Sequence, residues 1–221
     1  MKLSNVLGIA ALTACAGMAN AQIELASFSY DSLAGSYSPT SATTGNFSAV
    51  AVNTATLKTV GDFNRVVPTI GNADFPAGFV SDLNAADINI SMGLTGITAS
   101  GANGAGSITI TDVDGDTMTA VVAGSWALIA PGFSAFTGSL TNIVFASDDG
   151  MFNGYTGSWS VSLPGNPLEG AIVNLMVGGG SSFFGGGFAN RAVGVSGQIV
   201  PTPGALALLG VGALAAARRR R

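Results

Sequence analysis

Histidine is absent from this chain of 221 residues, and cysteine occurs once, at Cys15. Without these residues a single chain cannot build a histidine general base, a Ser-His or Cys-His nucleophile pair, or a zinc site made from several Cys and His ligands. These absences exclude the most familiar catalytic and metal centres. We therefore expect that the protein is not an enzyme.

Charged residues are also scarce, at 9% of the chain, whereas 48% of the residues are hydrophobic and 32 are glycine. A chain so poor in the Lys and Glu of exposed helix faces does not suit a mainly helical soluble enzyme. Between residues 22 and 200, Lys58, Arg65 and Arg191 are the basic residues against all 12 acidic ones. We expect an acidic surface that binds no nucleic acid and that could attract divalent cations.

The N-terminus has the three parts of a secretory signal peptide. Lys2 precedes a mostly apolar run over residues 3–17, and a small-x-small cleavage pattern ends at Ala21. We assign residues 1–21 to a signal peptide; a buried N-terminal helix is the less favoured alternative. Lipidation at Cys15 stays open as well, because Leu12-Thr13-Ala14-Cys15 resembles a bacterial lipobox. If cleavage falls after Ala21, the exported chain has no cysteine and no disulfide supports it.

The C-terminus also has three parts, which are a proline pair, an apolar run and a basic end. Val200-Pro201-Thr202-Pro203 precedes 14 small and apolar residues at 204–217, and the chain ends with Arg218, Arg219, Arg220 and Arg221. A helix of that length would span about 21 Å, which is short of the roughly 30 Å of a bilayer core, so we expect transient membrane insertion. The arginines would stay on the cytoplasmic side. A tail anchor and a basic amphipathic helix are the alternatives.

This tail resembles a PEP-CTERM protein-sorting signal over residues 200–221, with Pro201-Thr202-Pro203 in the place of the family's Pro-Glu-Pro motif. The resemblance implies an exported protein of Gram-negative-type bacteria that make extracellular polysaccharide. It also implies that an exosortase-like membrane enzyme removes the tail. The protein would pass through an inner-membrane intermediate to the cell surface or extracellular matrix, where exopolysaccharide is a further possible partner. We divide the chain into a signal peptide at 1–21, an exported domain at 22–197 and a sorting signal at 198–221.

Apolar and polar residues alternate with a period of two along the exported segment, which places one set of side chains in a core and the other in water. The clearest segments are 87–92, 107–111 and 158–163, and the weaker ones are 23–30, 46–52, 55–60, 118–122, 126–129, 140–145, 172–177 and 193–200. About ten short strands between Gly, Ser, Asn and Asp residues predict an all-β fold. We expect an antiparallel β-sandwich or jelly roll, followed by a short apolar C-terminal helix.

The pair Gly-Ser recurs at 106–107, 124–125, 138–139 and 157–158. The spacing is too irregular for a solenoid, so we expect each pair to open a strand through a tight turn. A glycine-rich stretch at 178–187 predicts a mobile loop. We favour Phe183 and Phe184 tucked back against the protein, and their exposure as a contact point is the alternative.

The segment Asp112-Val113-Asp114-Gly115-Asp116 lies between two strand patterns and predicts a hairpin turn. A loop over residues 113–115, closed by Gly115 in the left-handed conformation, would place Ile110 opposite Met118. Thr109 and Thr111 would then face Thr119 and Thr117. This register keeps the apolar side chains on one face and the threonines on the other.

The same register sets Asp112 opposite Asp116, with Asp114 nearby. Neighbouring carboxylates repel one another unless a cation or water lies among them. Asp112, Asp114 and Asp116 are therefore a candidate weak Ca²⁺ site, although their order is not that of an EF-hand. A solvated acidic turn without a metal is the alternative that we favour.

Aromatic residues gather late in the chain, at Trp126, Phe133, Phe136, Phe145, Phe152, Tyr155 and Trp159. A flat row of exposed rings would suit a carbohydrate-binding module, but the alternation favours core positions. Asp148 and Asp149 could suggest a glycosidase pair, yet adjacent strand positions point to opposite faces, so a turn is the better interpretation. We expect an exported structural or adhesive protein. A carbohydrate-binding module is the alternative, and a secreted glycosidase comes third.

Overall fold

The described part of the chain forms ten antiparallel strands. The computed structural model describes residues 26–65, 72–75, 87–112, 115–146, 168–178 and 185–201. The strands are β1 (Ala26–Pro39), β2 (Thr44–Val50), β3 (Val60–Arg65), β4 (Asn72–Phe75), β5 (Asp87–Thr95), β6 (Gly101–Thr111), β7 (Thr117–Ala130), β8 (Phe133–Ala146), β9 (Leu168–Gly178) and β10 (Phe188–Pro201). The all-β prediction is confirmed. These residues contain no helix, and hence none of the length and apolar character needed to cross a membrane.

The first strand pairs with the last, which closes the sheet into a barrel. The eight strands of the ring follow the order β1, β2, β5, β6, β7, β8, β9, β10. At the seam between β1 and β10, Ala26 pairs with Ile199 and Tyr37 pairs with Phe188. The predicted sandwich or jelly roll is therefore wrong, because one closed sheet surrounds one core. Alternation tells which side of a strand is buried, and it does so equally in a sandwich and in a barrel.

β2 and β3 lie end to end along the same side of β1. β2 pairs with residues 34–39 of β1, and β3 pairs with residues 26–31. The chain leaves the sheet between them, where Thr59 Oγ1 accepts a hydrogen bond from Val52 N–H and donates one to the Ser32 carbonyl. The strand predicted over 55–60 is thus wrong for most of its length, since β3 begins only at Val60.

The interior of the barrel is apolar. Along β5, the side chains of Ile88, Ile90, Met92 and Leu94 alternate inward and are all buried. The same alternation along the other strands of the ring fills the barrel with aliphatic and aromatic side chains from every side. Burial of this apolar surface is the main favourable contribution to the stability of the fold.

A row of three inward glycines makes room for two large rings inside the barrel. Gly104 pairs with Gly124, and Gly124 pairs with Gly138 on the next strand. A β-carbon added to Gly124 would stand 2.8 Å from Cζ of Phe136, and one added to Gly138 would stand 2.7 Å from the same ring. The Trp126 ring centroid lies 5.4 Å from that of Phe136. The rings therefore fill the volume that side chains on these strands would otherwise occupy.

The Gly-Ser pairs at 106–107, 124–125 and 138–139 lie in the middle of β6, β7 and β8. The expectation that each pair opens a strand is wrong for these three. In each pair the serine is exposed on the outer side of the barrel, so its glycine neighbour lies on the inner side. The pairs mark positions where a strand needs space inside rather than a turn.

Several predicted features lie outside the described residues. They are the signal peptide at 1–21, the strand at 158–163, the Gly-Ser pair at 157–158, Phe183 and Phe184, and the apolar helix at 204–217.

Candidate functional site

Apart from Asp87 and from Asp112 and Asp116 in the turn after β6, the charged residues of the described strands lie away from β2, β5, β6, β7 and β8. β2, β6, β7 and β8 contain no charged residue, and β5 contains only Asp87 at its first position. Charged residues occur instead on β1, β3, β4, β9 and β10, among them Asp31, Asp62, Glu169 and Arg191. We call the outward side chains of β2, β5, β6, β7 and β8 the neutral face.

Rows of small, exposed side chains cross the neutral face at right angles to the strands. Three such rows are Thr95–Asn103–Ser125–Thr137, Gly93–Ala105–Ala123–Ser139 and Ser91–Ser107–Val121–Thr141. None of these side chains is long or charged. Another surface could therefore approach the sheet closely without having to remove water from an ion.

Exposed apolar side chains concentrate on two of the strands that carry this face, β7 and β8. Among the described residues, seven large apolar side chains are exposed, and five of them lie on β7 and β8. The five are Val121, Leu128, Ile129, Phe133 and Val144. Apolar exposure together with depletion of charge is characteristic of protein interfaces.

A polar groove crosses the opposite side of the barrel, over β1, β10 and β9. It is lined by Ser29, Asp31, Asn174, Met176, Gly194, Val195 and Ser196. Ser29 pairs with Ser196, and Ser196 pairs with Asn174, so two hydroxyls and an amide form one row across three strands. In the ring of eight strands, β10 at the centre of the groove is opposite β6 at the centre of the neutral face.

An irregularity in β1 positions Asp31 in this groove. The register of β1 against β10 shifts between Tyr30 and Leu33, and Ser32 within this shift has a φ of 61°. Such bulges commonly turn a side chain in a new direction. The Asp31 Oδ1 atom lies 2.8 Å from the point where a β-carbon on Gly194 would stand. The carboxylate can occupy this place because residue 194 is glycine.

Two carboxylates influence a buried tyrosine near the groove. Burial raises the pKa of Tyr30 well above its ordinary value, and the negative charges of Asp62 and Asp87 act in the same direction. Burial also raises the pKa of Asp87, against the opposing effect of a 2.6 Å hydrogen bond that its Oδ1 accepts from Ile88 N–H. Tyr30 is thus held in its neutral form, which suits a structural role.

The turn between β6 and β7 has the predicted register. Ile110 pairs with Met118, and the flanking threonines pair with each other as expected. Gly115 has a φ of 101°, in the region that favours glycine. The Asp112 N–H donates a 2.9 Å hydrogen bond to the Asp116 carbonyl, which closes the turn.

The turn brings Asp112 and Asp116 together, but not as solvated groups. They are 1% and 5% exposed, so the expectation of a solvated turn is wrong for both. Asp112 Oδ1 accepts hydrogen bonds from Gly115 N–H at 3.2 Å and from Asp116 N–H at 2.9 Å, and these bonds stabilise the buried carboxylate. Asp114, the third residue of the candidate Ca²⁺ site, lies outside the described residues. Within the described ranges, no three His, Cys, Asp or Glu residues are grouped to hold a metal.

Most of the described late aromatic residues belong to the core, as the alternation indicated. Trp126 and Phe136 are buried, and Phe145 is partly buried against the core with its ring edge-on to Phe63 at 6.3 Å. Phe133 is the exception, with 46% of its surface exposed. These rings form no flat outer row for sugars. Phe152, Tyr155, Trp159, Asp148 and Asp149 lie outside the described residues.

The first two residues of the predicted sorting motif belong to the barrel. Val200 is buried in β10, and Pro201 ends that strand, where it pairs with Leu168. β10 therefore continues through the boundary placed between residues 197 and 198. Thr202, Pro203, Arg218, Arg219, Arg220 and Arg221 lie outside the described residues.

Comparison of this chain with protein-family models, with curated proteins and with solved structures finds no match in any of the three.

The sequence alone did not indicate either surface. The groove combines residues from β1 with residues from β9 and β10, which meet only because the first and last strands pair. The neutral face had a readable signal, since residues 88–111 and 117–146 contain no charged residue. That signal acquires meaning only when these segments are known to be adjacent strands.

Proposed function

We propose that this protein is an exported structural component of the cell surface or extracellular matrix, and that it associates with further copies of itself through the neutral face. The observation that carries the proposal is the coincidence, on β7 and β8, of exposed apolar side chains with a complete lack of charge. The tightly filled barrel interior supports a role for the outer surface.

A second copy of the chain is the occupant that best fits this face. Three basic residues, Lys58, Arg65 and Arg191, stand against 12 acidic residues between positions 22 and 200, so two copies repel each other over most orientations. A symmetric dimer places the same surface on both sides of its interface. An uncharged surface is compatible with itself in this arrangement, whereas an acidic one is not.

Sedimentation of the native protein over a range of concentrations tests this association. We expect dimers or larger assemblies that form more readily as salt is raised, because salt screens the acidic repulsion and weakens no ion pair in the neutral face. A monomer at every concentration and salt level would overturn the proposed association.

Export and sorting are the second part of the proposal, and they depend on the sequence of the two ends. The signal peptide at 1–21 directs export, and an exosortase-like enzyme removes the tail after transient insertion of residues 204–217. The burial of Val200 supports removal beyond Pro201, since a cut before Val200 would take a buried side chain out of β10.

Cell fractionation with mass spectrometry tests this part. We expect surface material that begins at Gln22 and lacks the residues after about position 203. Protein that retains all four arginines in the membrane fraction would contradict sorting. Lipidated Cys15 at the mature N-terminus would replace the signal-peptide cleavage that we propose.

A further inference from the structure

We propose that the groove across β1, β10 and β9 is a binding site for a neutral saccharide. The observation that carries this proposal is the row formed by Ser29, Ser196 and Asn174, beside the Asp31 carboxylate that lies over Gly194. This site is separate from the neutral face, and its function does not depend on self-association.

The groove offers the kinds of hydrogen bond that sugar hydroxyls need. A sugar hydroxyl both donates and accepts, and Ser29 and Ser196 can do the same. Asp31 is an acceptor, and the Asn174 amide supplies both donors and an acceptor. Neighbouring strands lie about 4.8 Å apart, so the row across three strands is about 10 Å long, which is comparable with two linked sugar rings.

These polar groups are not used by the fold. In the described part of the chain, the side chains of Ser29, Asp31, Asn174 and Ser196 take part in no hydrogen bond or ion pair. Met176 contributes an apolar wall on which the carbon face of a sugar can rest. The missing side chain at Gly194 leaves room for the Asp31 carboxylate on the floor of the groove.

Other classes of ligand fit the groove less well. An anion would meet no basic side chain among the lining residues. Arg191 lies on the same strand as part of the lining, but its guanidinium packs on Phe188, 4.2 Å from the ring centroid. A divalent cation would find one carboxylate only. An extended peptide could not add to the sheet, because β1, β9 and β10 are hydrogen-bonded on both sides here.

The test is a titration of the native protein, followed by NMR, with neutral tetrasaccharides of glucose, mannose and galactose. We expect at least one of them to shift the signals of the groove residues and to saturate at millimolar concentration, because the groove is open and has no aromatic platform. Absence of binding by all three probes would overturn the proposal.

Two variants place the binding in the groove. Asp31→Ala removes the carboxylate acceptor, and we expect the saccharide to bind at least about tenfold more weakly. Gly194→Val puts a side chain where the Asp31 carboxylate lies and should abolish binding. Thr119→Val on the neutral face serves as the control and should leave binding unchanged. NMR spectra verify that each variant is folded. The assignment would be overturned if both groove variants bound the saccharide as tightly as the native protein. It would also be overturned if the control lost as much affinity as the groove variants.

A further variant separates this proposal from self-association. Val121→Lys, in the middle of the neutral face, should still bind the saccharide with unchanged affinity. Loss of saccharide binding in this variant would show that the groove is not the site. If the native protein does not associate with further copies of itself, the saccharide titration still tests the groove, because the groove is separate from the neutral face.

Discussion

The Asp31 carboxylate of β1 lies over Gly194 of β10, with Oδ1 2.8 Å from the position of a β-carbon on that glycine. The contact spans the seam at which the first and last strands close the barrel. Gly197 of β10 receives the Phe28 ring on the inner side of the same seam. Glycines thus allow close approach on both sides of β10, with a polar groove outside and an aromatic core inside.

Substitution of Gly138 tests whether the row of inward glycines is needed to make room for the rings inside the barrel. A β-carbon there would stand 2.7 Å from both the Phe136 ring and the Ala123 carbonyl oxygen, so Gly138→Ala must displace one of them. We expect a loss of about 1–3 kcal/mol in the free energy of unfolding, measured by urea denaturation.

Gly93→Ala is the matched control for this variant. Gly93 is also in a strand, but the nearest atom to its added β-carbon is the Ala105 carbonyl oxygen at 3.9 Å. This change should be neutral or stabilising by less than about 1 kcal/mol. Equal losses in the two variants would show that space inside the barrel is not what glycine provides at residue 138.

Phe136 and Phe133 provide a second pair of residues that differ chiefly in burial. Phe136 is 0% exposed in the barrel interior, whereas Phe133 at the start of the same strand is 46% exposed. Phe136→Ala should lower the free energy of unfolding by about 3–5 kcal/mol, because it leaves a cavity. Phe133→Ala should lower it by less than about 1 kcal/mol. Thermal or urea unfolding measures both, and a reversed order would contradict the inward placement of Phe136.

Asp87 should make stability depend on pH in a defined direction. Burial raises the pKa of Asp87 in the folded state. The folded protein therefore holds this proton more tightly than the unfolded chain, so the contribution to stability is present at low pH and is lost as pH rises from about 4 through the raised pKa.

The Asp87→Asn variant tests this sign. The amide retains an oxygen that can accept the hydrogen bond from Ile88 N–H, and it has no proton to lose. Urea unfolding at several pH values should show the variant gaining stability relative to the native protein as pH increases. A relative gain toward low pH would contradict the assigned direction.

The hairpin around Gly115 shows what local sequence can predict. The loop residues, the left-handed glycine and the opposition of Ile110 and Met118 all follow from the short segment between residues 109 and 119, and each agrees with the structure. Sorting apolar side chains from threonines permits one register, since a slip by one residue would reverse both faces.

Closure of the barrel could not be predicted in the same way. The pairing of Ala26 with Ile199 joins residues far apart in sequence, and the alternation of each strand is equally satisfied by a sandwich. The inward glycines 104, 124 and 138 were a usable signal, because glycine in the interior of a strand often marks a close approach. Because the Gly-Ser pairs were predicted to be turns, their glycines were not recognised as positions inside strands.

The candidate surfaces differ in how far the sequence could reveal them. A lack of charge over residues 117–146 is visible in the sequence and survives as the neutral face. The groove is not visible, because Asp31 is aimed by a bulge and Ser29 meets Ser196 only through closure. Local patterns predict elements and their inner sides, whereas sites that combine distant strands require the topology.

The central claim is that the neutral face brings copies of this protein together, and a charge placed on it is the most direct test. Val121 on that face and Val60 on β3 are similarly exposed, at 45% and 42%, so Val121→Lys and Val60→Lys add the same charge to matched positions. Sedimentation velocity of the native protein and both variants measures the association. We predict that Val121→Lys is monomeric while Val60→Lys associates like the native protein; undiminished association of Val121→Lys would contradict the account.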